Sequence, residues 1–298
     1  MALSIEIRNN EVVLMDAKVS RSKIMINKTH AYHFDETYLD QSGIINRENF
    51  ALLLNQHLEE QNIKEKKVNL CLNNSSIIYR ELFIPKVDEK RIPFLVRSEM
   101  MSALNLTPDY IMDYIALEEV VKNEDPMYRV LAVAVLEDAI TSYLETMKMA
   151  DLKVEVIDSA TNAIIKMMEF AEISNTTHQF VVADVQNGYL RLYLFDDGIY
   201  VLSRNTRISS LSSENKEEVL GEIVENISKM VQFTFTRNNK GISNIIYVGH
   251  DELLEQIKEL VNTSLEIPGE VFSELLKQQN IEDFQNKHVN ALGVLLRK

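Results

Sequence analysis

Residues 180–204, FVVADVQNGYLRLYLFDDGIYVLSR, read as three strands joined by two tight turns. The turns are Gln186-Asn187-Gly188 and Asp196-Asp197-Gly198, and glycine after Asn or Asp is the chemistry that closes a two-residue hairpin. The spacing predicts strands over 180–185, 189–195 and 199–204, the middle one alternating between two faces. A helix from about residue 214 follows, with Val219, Ile223, Ile227, Met230 and Val231 on one face, and then a strand over 244–248.

The same order occurs earlier in the chain. Strands are predicted over 3–7, 11–19 and 23–34, the first pair turning at Arg8-Asn9-Asn10. A loop holding Gly43 leads to a helix from about Arg47, whose apolar face is Phe50, Leu53, Leu54 and Leu58, and to a strand over 68–72. Both halves read as meander, helix, strand: a duplicated architecture without repeated residue identities. The material between them fits neither copy. A helix over about 92–104 tolerates Pro93 in its first turn and aligns Ile92, Leu95, Val96 and Met100. Strands over 111–117 and 128–136, separated by a polar loop containing Pro126, precede a helix over about 138–150 with Ile140, Leu144 and Met147 on one stripe. This α-β-β-α insert returns through a strand over 153–157 and a helix over about 161–171.

Composition bounds the function. At 298 residues the chain suits about two domains, and no apolar run approaches the roughly 20 residues that span a bilayer. The stretch MALSIEIRNNEVV, with no basic region followed by a long apolar run, is not expected to be a secretory signal. Cys71, the single cysteine, forms no internal disulfide, which fits a reducing cytoplasm. A net charge of −14 disfavours nucleic acid and anionic lipid surfaces. Only 8 glycines occur, at 43, 188, 198, 221, 241, 249, 269 and 293, with no two close together. Phosphate-cradling loops need clustered glycines, so Rossmann and P-loop chemistry are excluded.

A duplicated meander-helix unit with a small insert in its first half resembles the actin/hexokinase superfamily, and more specifically the branch shared by FtsA and PilM, whose extra subdomain is called 1C. Ser75-Ser76-Ile77-Ile78-Tyr79-Arg80 followed by Ile84-Pro85 is similar to the passage by which PilM chains enter 1C. Glu99, Pro108 and Asp113-Tyr114 resemble a second run, LKVEVIDSA at 152–160 the crossover ending the first lobe, and Asn290 to Val294 with Arg297 the closing helix. The resemblance implies an actin-like ATPase fold of two ribonuclease H-like lobes. Its divisions here would be a first lobe (IA) over 1–85, a 1C-like insert over 86–151 and a return over 152–177. A second lobe (IIA) over 178–285 and a C-terminal helix over 286–298, packing on the first lobe, complete it.

Actin-like proteins bind Mg²⁺ and ATP through an Asp-x-Gly in the first hairpin of each half and a Gly-Gly pair after a late strand. Here the matching positions are Glu6 with Arg8, Asp184 with Gln186, and Gly249-His250. The resemblance implies that Glu6, Asp184, Gly188 and Gly249 would be the cofactor-binding residues of a degenerate nucleotide site. Only about ten residues, 205–214, connect the third strand of the second half to its helix, so subdomain IIB is expected to be reduced or absent. Both departures argue that ATP binding is lost or weak. With no enzymatic activity, the resemblance implies a cytoplasmic scaffold of the type IV pilus machine, peripheral at the inner face of the membrane. It would bind the N-terminal cytoplasmic tail of a PilN-like membrane protein between the first lobe and 1C, in the region of 111–117, 128–136 and the helix starting at Ile92. Contacts to PilO and the pilus motor ATPases would build outward from there. An active actin-like ATPase and an FtsA-like membrane tether are the alternatives.

Other residues invite sharper readings. His30 and His33 lie near Asp35, but in a strand the two histidines face opposite ways, so a shared metal ion is not expected and surface polarity is. Asp196 and Asp197 read as turn residues, His250 has no nucleophile partner in sequence, and Cys71 belongs to an apolar strand. The pairs Met100-Met101, Met147-Met149 and Met167-Met168 suit a core, and methionine also suits an adaptable peptide groove. Val289, Leu292, Leu295 and Leu296 give the last helix an apolar side with few basic residues and no aromatic anchors, favouring packing over membrane binding.

Overall fold

The protein, described here from a computed structural model, is characterised over residues 2–20, 24–73, 77–173, 178–186, 188–208, 216–279, 281 and 284–296. It divides into two compact units, Met1–Ala163 with Ala291–Lys298, and Ile164–Asn290.

In the first unit, β1 (Ala2–Arg8), β2 (Glu11–Val19) and β3 (Ile24–His33) form the antiparallel meander. A short hairpin of β4 (Leu39–Asp40) and β5 (Gly43–Ile44) leads to α1 (Arg47–Glu60), capped by the side chain of Asn46, which accepts from Asn49 N–H. β6 (Lys67–Asn73) then pairs parallel to β1. The insert contains β7 (Ile78–Pro85), α2 (Ile92–Leu104), β8 (Tyr110–Lys122) and β9 (Asp125–Leu136). α3 (Glu137–Met149), β10 (Lys153–Ser159) and the start of α4 (Ala160–Phe170) complete the unit. The main sheet runs β10-β6-β1-β2-β3 and the insert's sheet β7-β9-β8.

The insert differs from the sequence reading in three ways. Residues 78–85, assigned above to the first lobe, pair antiparallel with β9 from Ile78 opposite Ala134 to Pro85 opposite Met127, and so belong to the insert. α3, assigned to the insert, buries Ala139, Tyr143 and Met147 in the core of the first lobe with Leu54, Leu58 and Leu70. It is also anchored by Ser142 Oγ, which accepts from Ile44 N–H at 2.9 Å. Gly43 lets that hairpin approach: at φ +90°, an added Cβ would lie 2.1 Å from Ser142 Oγ. Finally, the polar loop is only a turn at Asn123 and Glu124, both with positive φ, and Pro126 lies inside β9 opposite Val121.

In the second unit β11 (Phe180–Gln186), β12 (Tyr189–Asp196) and β13 (Ile199–Arg207) repeat the meander. The turn between β12 and β13 has φ of 50° at Asp197 and 76° at Gly198, the positive pair that a tight hairpin demands. α5 (Lys216–Asn238) packs Val219, Ile223, Ile227 and Met230 into the core. Residues 209–215, which hold most of the connection read as too short for IIB, lie outside the described residues. β14 (Asn244–Gly249) pairs parallel with β11. After it come α6 (Asp251–Leu265), β15 (Gly269–Val271), α7 (Phe272–Gln278) and, ending in the first unit, α8 (Val289–Gly293). The sheet runs β13-β12-β11-β14-β15. By chain position within each unit both sheets have one order, fifth-fourth-first-second-third, so the duplication extends to a last parallel strand.

The C-terminal helix is shorter than expected. α8 is a single turn preceded by the 3-10 turn Asn286–His288. Leu292 within it and Val294, Leu295 and Leu296 after it are all buried. Within the first unit, Ser4 Oγ donates to the Ala291 carbonyl at 2.6 Å and Asn69 Nδ2 to that of Val294 at 3.4 Å. An amphipathic membrane contact would need this apolar side outward.

Candidate functional site

The two carboxylates expected to organise a metal are both buried in strands. Glu6 is fully buried on β1, on the face opposite Leu3, Ile5 and Ile7. Its Oε1 accepts from Arg8 Nε at 2.9 Å and from Asn73 Nδ2 at 2.8 Å, and its Oε2 from Arg8 Nη2 at 3.1 Å. Arg8 also pairs with Glu11. Strand periodicity causes this geometry: residues two apart share a face, so a long cation in the glycine position reaches back onto the acid. Asp184, 1% exposed, has the same arrangement on β11, where Gln186 Nε2 donates to its Oδ1 at 2.5 Å. In each unit, therefore, the side chain that replaces the expected glycine donates to the carboxylate.

Asp184 and Gly249 lie close together: the register sets Asp184 opposite Val248 and Val185 opposite Gly249. Gly249 has φ +108°, and a Cβ there would meet the Val185 carbonyl at 2.0 Å, while His250 N–H donates to that carbonyl at 2.7 Å. Its glycine is thus needed for strand approach. Gly188 has φ +83° with open space around it, and its carbonyl accepts from Ile208 N–H at 2.9 Å, so it serves the β11–β12 turn.

A second feature lies wholly in the first unit. A partly open groove of ≈ 230 Å³ separates the insert's sheet from the ends of β6 and β10 and the start of α4. Ile111, Asp113 and Ile115 of β8 and Leu131, Val133 and Val135 of β9 form one wall; Leu72, Ile157, Asp158, Ser159 and Asn162 form the other, with Ile77 and Tyr79 completing it. Leu131 and Val135 are buried, whereas Ile111 is 42% exposed. At the α4 end, Asn162 Nδ2 donates to both oxygens of Asp158, at 2.9 and 3.0 Å, and Ser159 N–H to Asp158 Oδ1 at 2.7 Å.

The two strands expected at this groove are there, but the helix starting at Ile92 is not. Alternation on β9 sends Val130, Ala132 and Ala134 to the opposite face, where Ile92, Val96 and Met100 of α2 cover them. Nor do the methionine pairs line it: Met100, Met147, Met167 and Met168 are buried, and Met149 is half exposed elsewhere. Asp158 and Asn162 escaped the sequence reading. A signal did exist, since residues 130–135 of β9 are apolar on both faces while one helix covers only one of them.

The remaining candidates have structural partners. His30 Nε2 lies 3.2 Å from His57 Nδ1, and the Tyr32 ring stacks on His57 with centroids 3.8 Å apart, so His30 is part of an aromatic cluster and only His33 is surface polarity. Burial and the adjacent His57 push the His30 pKa below its ordinary value. Asp35 accepts from the N–H and hydroxyl of Thr37, which lowers its pKa, and is a turn residue. Asp196 accepts from Gln179 and Lys240 beside its hairpin turn, and Cys71 is buried in β6. Among the described residues no group of three His, Cys, Asp or Glu is placed to hold a metal ion, and no helix is long and apolar enough to cross a membrane.

Comparison with known proteins places the architecture. A chain in a structure of the PilM-PilN type IV pilus biogenesis complex superposes with a TM-score of 0.80 at 17% identity, covering 98% of this chain and 97% of that one. A Bacteroides thetaiotaomicron protein of actin-like ATPase fold and unknown function gives 0.55 at 12% identity, covering 94% and 96%. The ethanolamine utilization protein EutJ of Carboxydothermus hydrogenoformans gives 0.50 at 9% identity, covering 98% and 88%. The fold is therefore actin-like, as the duplicated sheets indicate. No curated protein sequence matches the chain. The family model described as type IV pilus assembly protein PilM matches residues 4–208. This chain belongs to the PilM family of type IV pilus assembly proteins.

Proposed function

We propose that this protein is a non-enzymatic scaffold that holds the N-terminal cytoplasmic tail of a PilN-like membrane protein in the groove between the insert's sheet and the first lobe. The groove carries the reading. It is an apolar cleft flanked by two edge strands, β8 and β10, the kind of surface that takes an extended peptide through alternate side chains. The PilM-PilN complex adds support, because its similar chain is described with such a partner. Attachment to the inner face of the membrane would come through that partner. PilO and the motor ATPases would be reached from the same assembly.

The carboxylates support the absence of ATP hydrolysis. Glu6 is ion-paired with Arg8, and Asp184 accepts from Gln186, so a Mg²⁺ ion would have to displace donors already in place. A tail peptide from the organism's own PilN-like protein is expected to co-purify with the chain and to slow hydrogen exchange over residues 111–136. Exchange unchanged at saturating peptide would defeat the reading. MgATP is expected to leave the unfolding midpoint unchanged, whereas a ligand present at a hundred times its Kd would add about 2.7 kcal/mol.

A further inference from the structure

The groove has a charge as well as a shape. Among the described residues its lining includes two carboxylates, Asp113 and Asp158, and no lysine, arginine or histidine. Asp158 already accepts from Ser159 N–H and twice from Asn162. Asp113 is different: it lines the groove and is exposed, and the hydrogen bond to it comes from the adjacent Tyr114 N–H at 2.8 Å. The Asn162 Oδ1 atom is buried without a donor beside Asp158, which adds a further acceptor to the groove lining. An occupant that offered only apolar side chains would cover acidic groups without compensation, and an acidic one would be repelled.

Building on the tail-groove reading above, we propose that the groove selects a segment with a Lys or Arg beside its apolar anchor, and that Asp113 receives the cation. The apolar side chain enters between Ile111 and Val133, and the stem of the basic residue lies along the wall with its head at the mouth. Asp158, locked by Asn162, contributes field rather than a direct contact. The overall charge of −14 steers a basic segment toward the chain in addition.

The test uses the full chain and the tail peptide of the organism's PilN-like protein, with each Lys or Arg of the tail exchanged singly for Gln. Binding is read by fluorescence anisotropy and the position by hydrogen exchange over residues 111–136. One exchange is expected to weaken binding about tenfold, and Asp113→Asn to remove that difference while Asp113→Glu keeps it. The difference should shrink as salt is raised. A bound tail with no basic residue, Gln versions that bind like the parent, or a loss that persists in Asp113→Asn would overturn the role of Asp113 and leave the groove reading intact. A tail that protects no groove strand would remove the groove reading and this inference together.

Discussion

Arg8 stands two residues beyond Glu6 on one face of β1, and its guanidinium holds both oxygens of that carboxylate. Gln186 has the same relation to Asp184 on β11. Glu6 and Asp184 are the acids expected from the sequence to face Mg²⁺, and in both units the acid accepts from a side chain of its own strand. Both acids are buried polar groups held by donors from within their own unit.

Removing the cation should therefore harm the fold. Arg8→Ala leaves Glu6 buried with its ion partner gone, and is expected to lower stability by about 3 kcal/mol in urea unfolding. Replacing both residues together, as Glu6→Leu with Arg8→Met, should cost less than Arg8→Ala alone.

Gly249→Ala is expected to be among the most damaging single methyl additions in the second unit. The new Cβ would overlap the Val185 carbonyl at a φ of +108°, which implies a loss of at least about 2 kcal/mol. Gly188→Ala meets open space and should cost about 1 kcal/mol from its positive φ alone. The contrast is readable in parallel thermal melts.

Binding and stability should separate at the groove. Ile111 is partly exposed, so Ile111→Ser is expected to change unfolding free energy by about 0.5 kcal/mol or less. Its tail-peptide Kd should rise at least tenfold, measured by anisotropy. Val96→Ser, on the buried face of α2 that packs against β9, should destabilise the insert instead.

The His30 cluster should give stability a pH dependence. Burial first, and then His57, lower the pKa of His30, while Glu60 opposes the shift. The unfolded chain therefore binds the proton more readily, so stability is full above the ordinary histidine pKa and falls as pH drops through the folded value. His30→Gln should flatten that slope in urea midpoints measured across this range, with Tyr32, His57 and Glu60 intact.

Periodicity and turn residues made most of the fold legible. The Asn-Gly and Asp-Gly turns located the second meander and the Arg8-Asn9-Asn10 turn the first, and the helical spacing of Phe50, Leu54 and Leu58 located α1. Assigning α3 and β7 was harder, because an apolar stripe says that an element buries a face but not against what. α3 faces α1 and β7 pairs with β9, choices made by packing between segments distant in sequence.

The duplicated architecture, the absence of a glycine-rich phosphate loop and the presence of Arg8 and Gln186 two residues beyond the acids were all legible in the sequence, because each is a local property of residue type and spacing. How Glu6 and Asp184 are held, and where the groove lies, came from the folded arrangement instead. Glu6 depends on Asn73 from a neighbouring strand as well as on Arg8, and the groove brings residues 72 and 111–115 to residues 131–135 and 157–162. Such contacts between remote segments follow from sheet order and register, which no single stretch of the chain encodes.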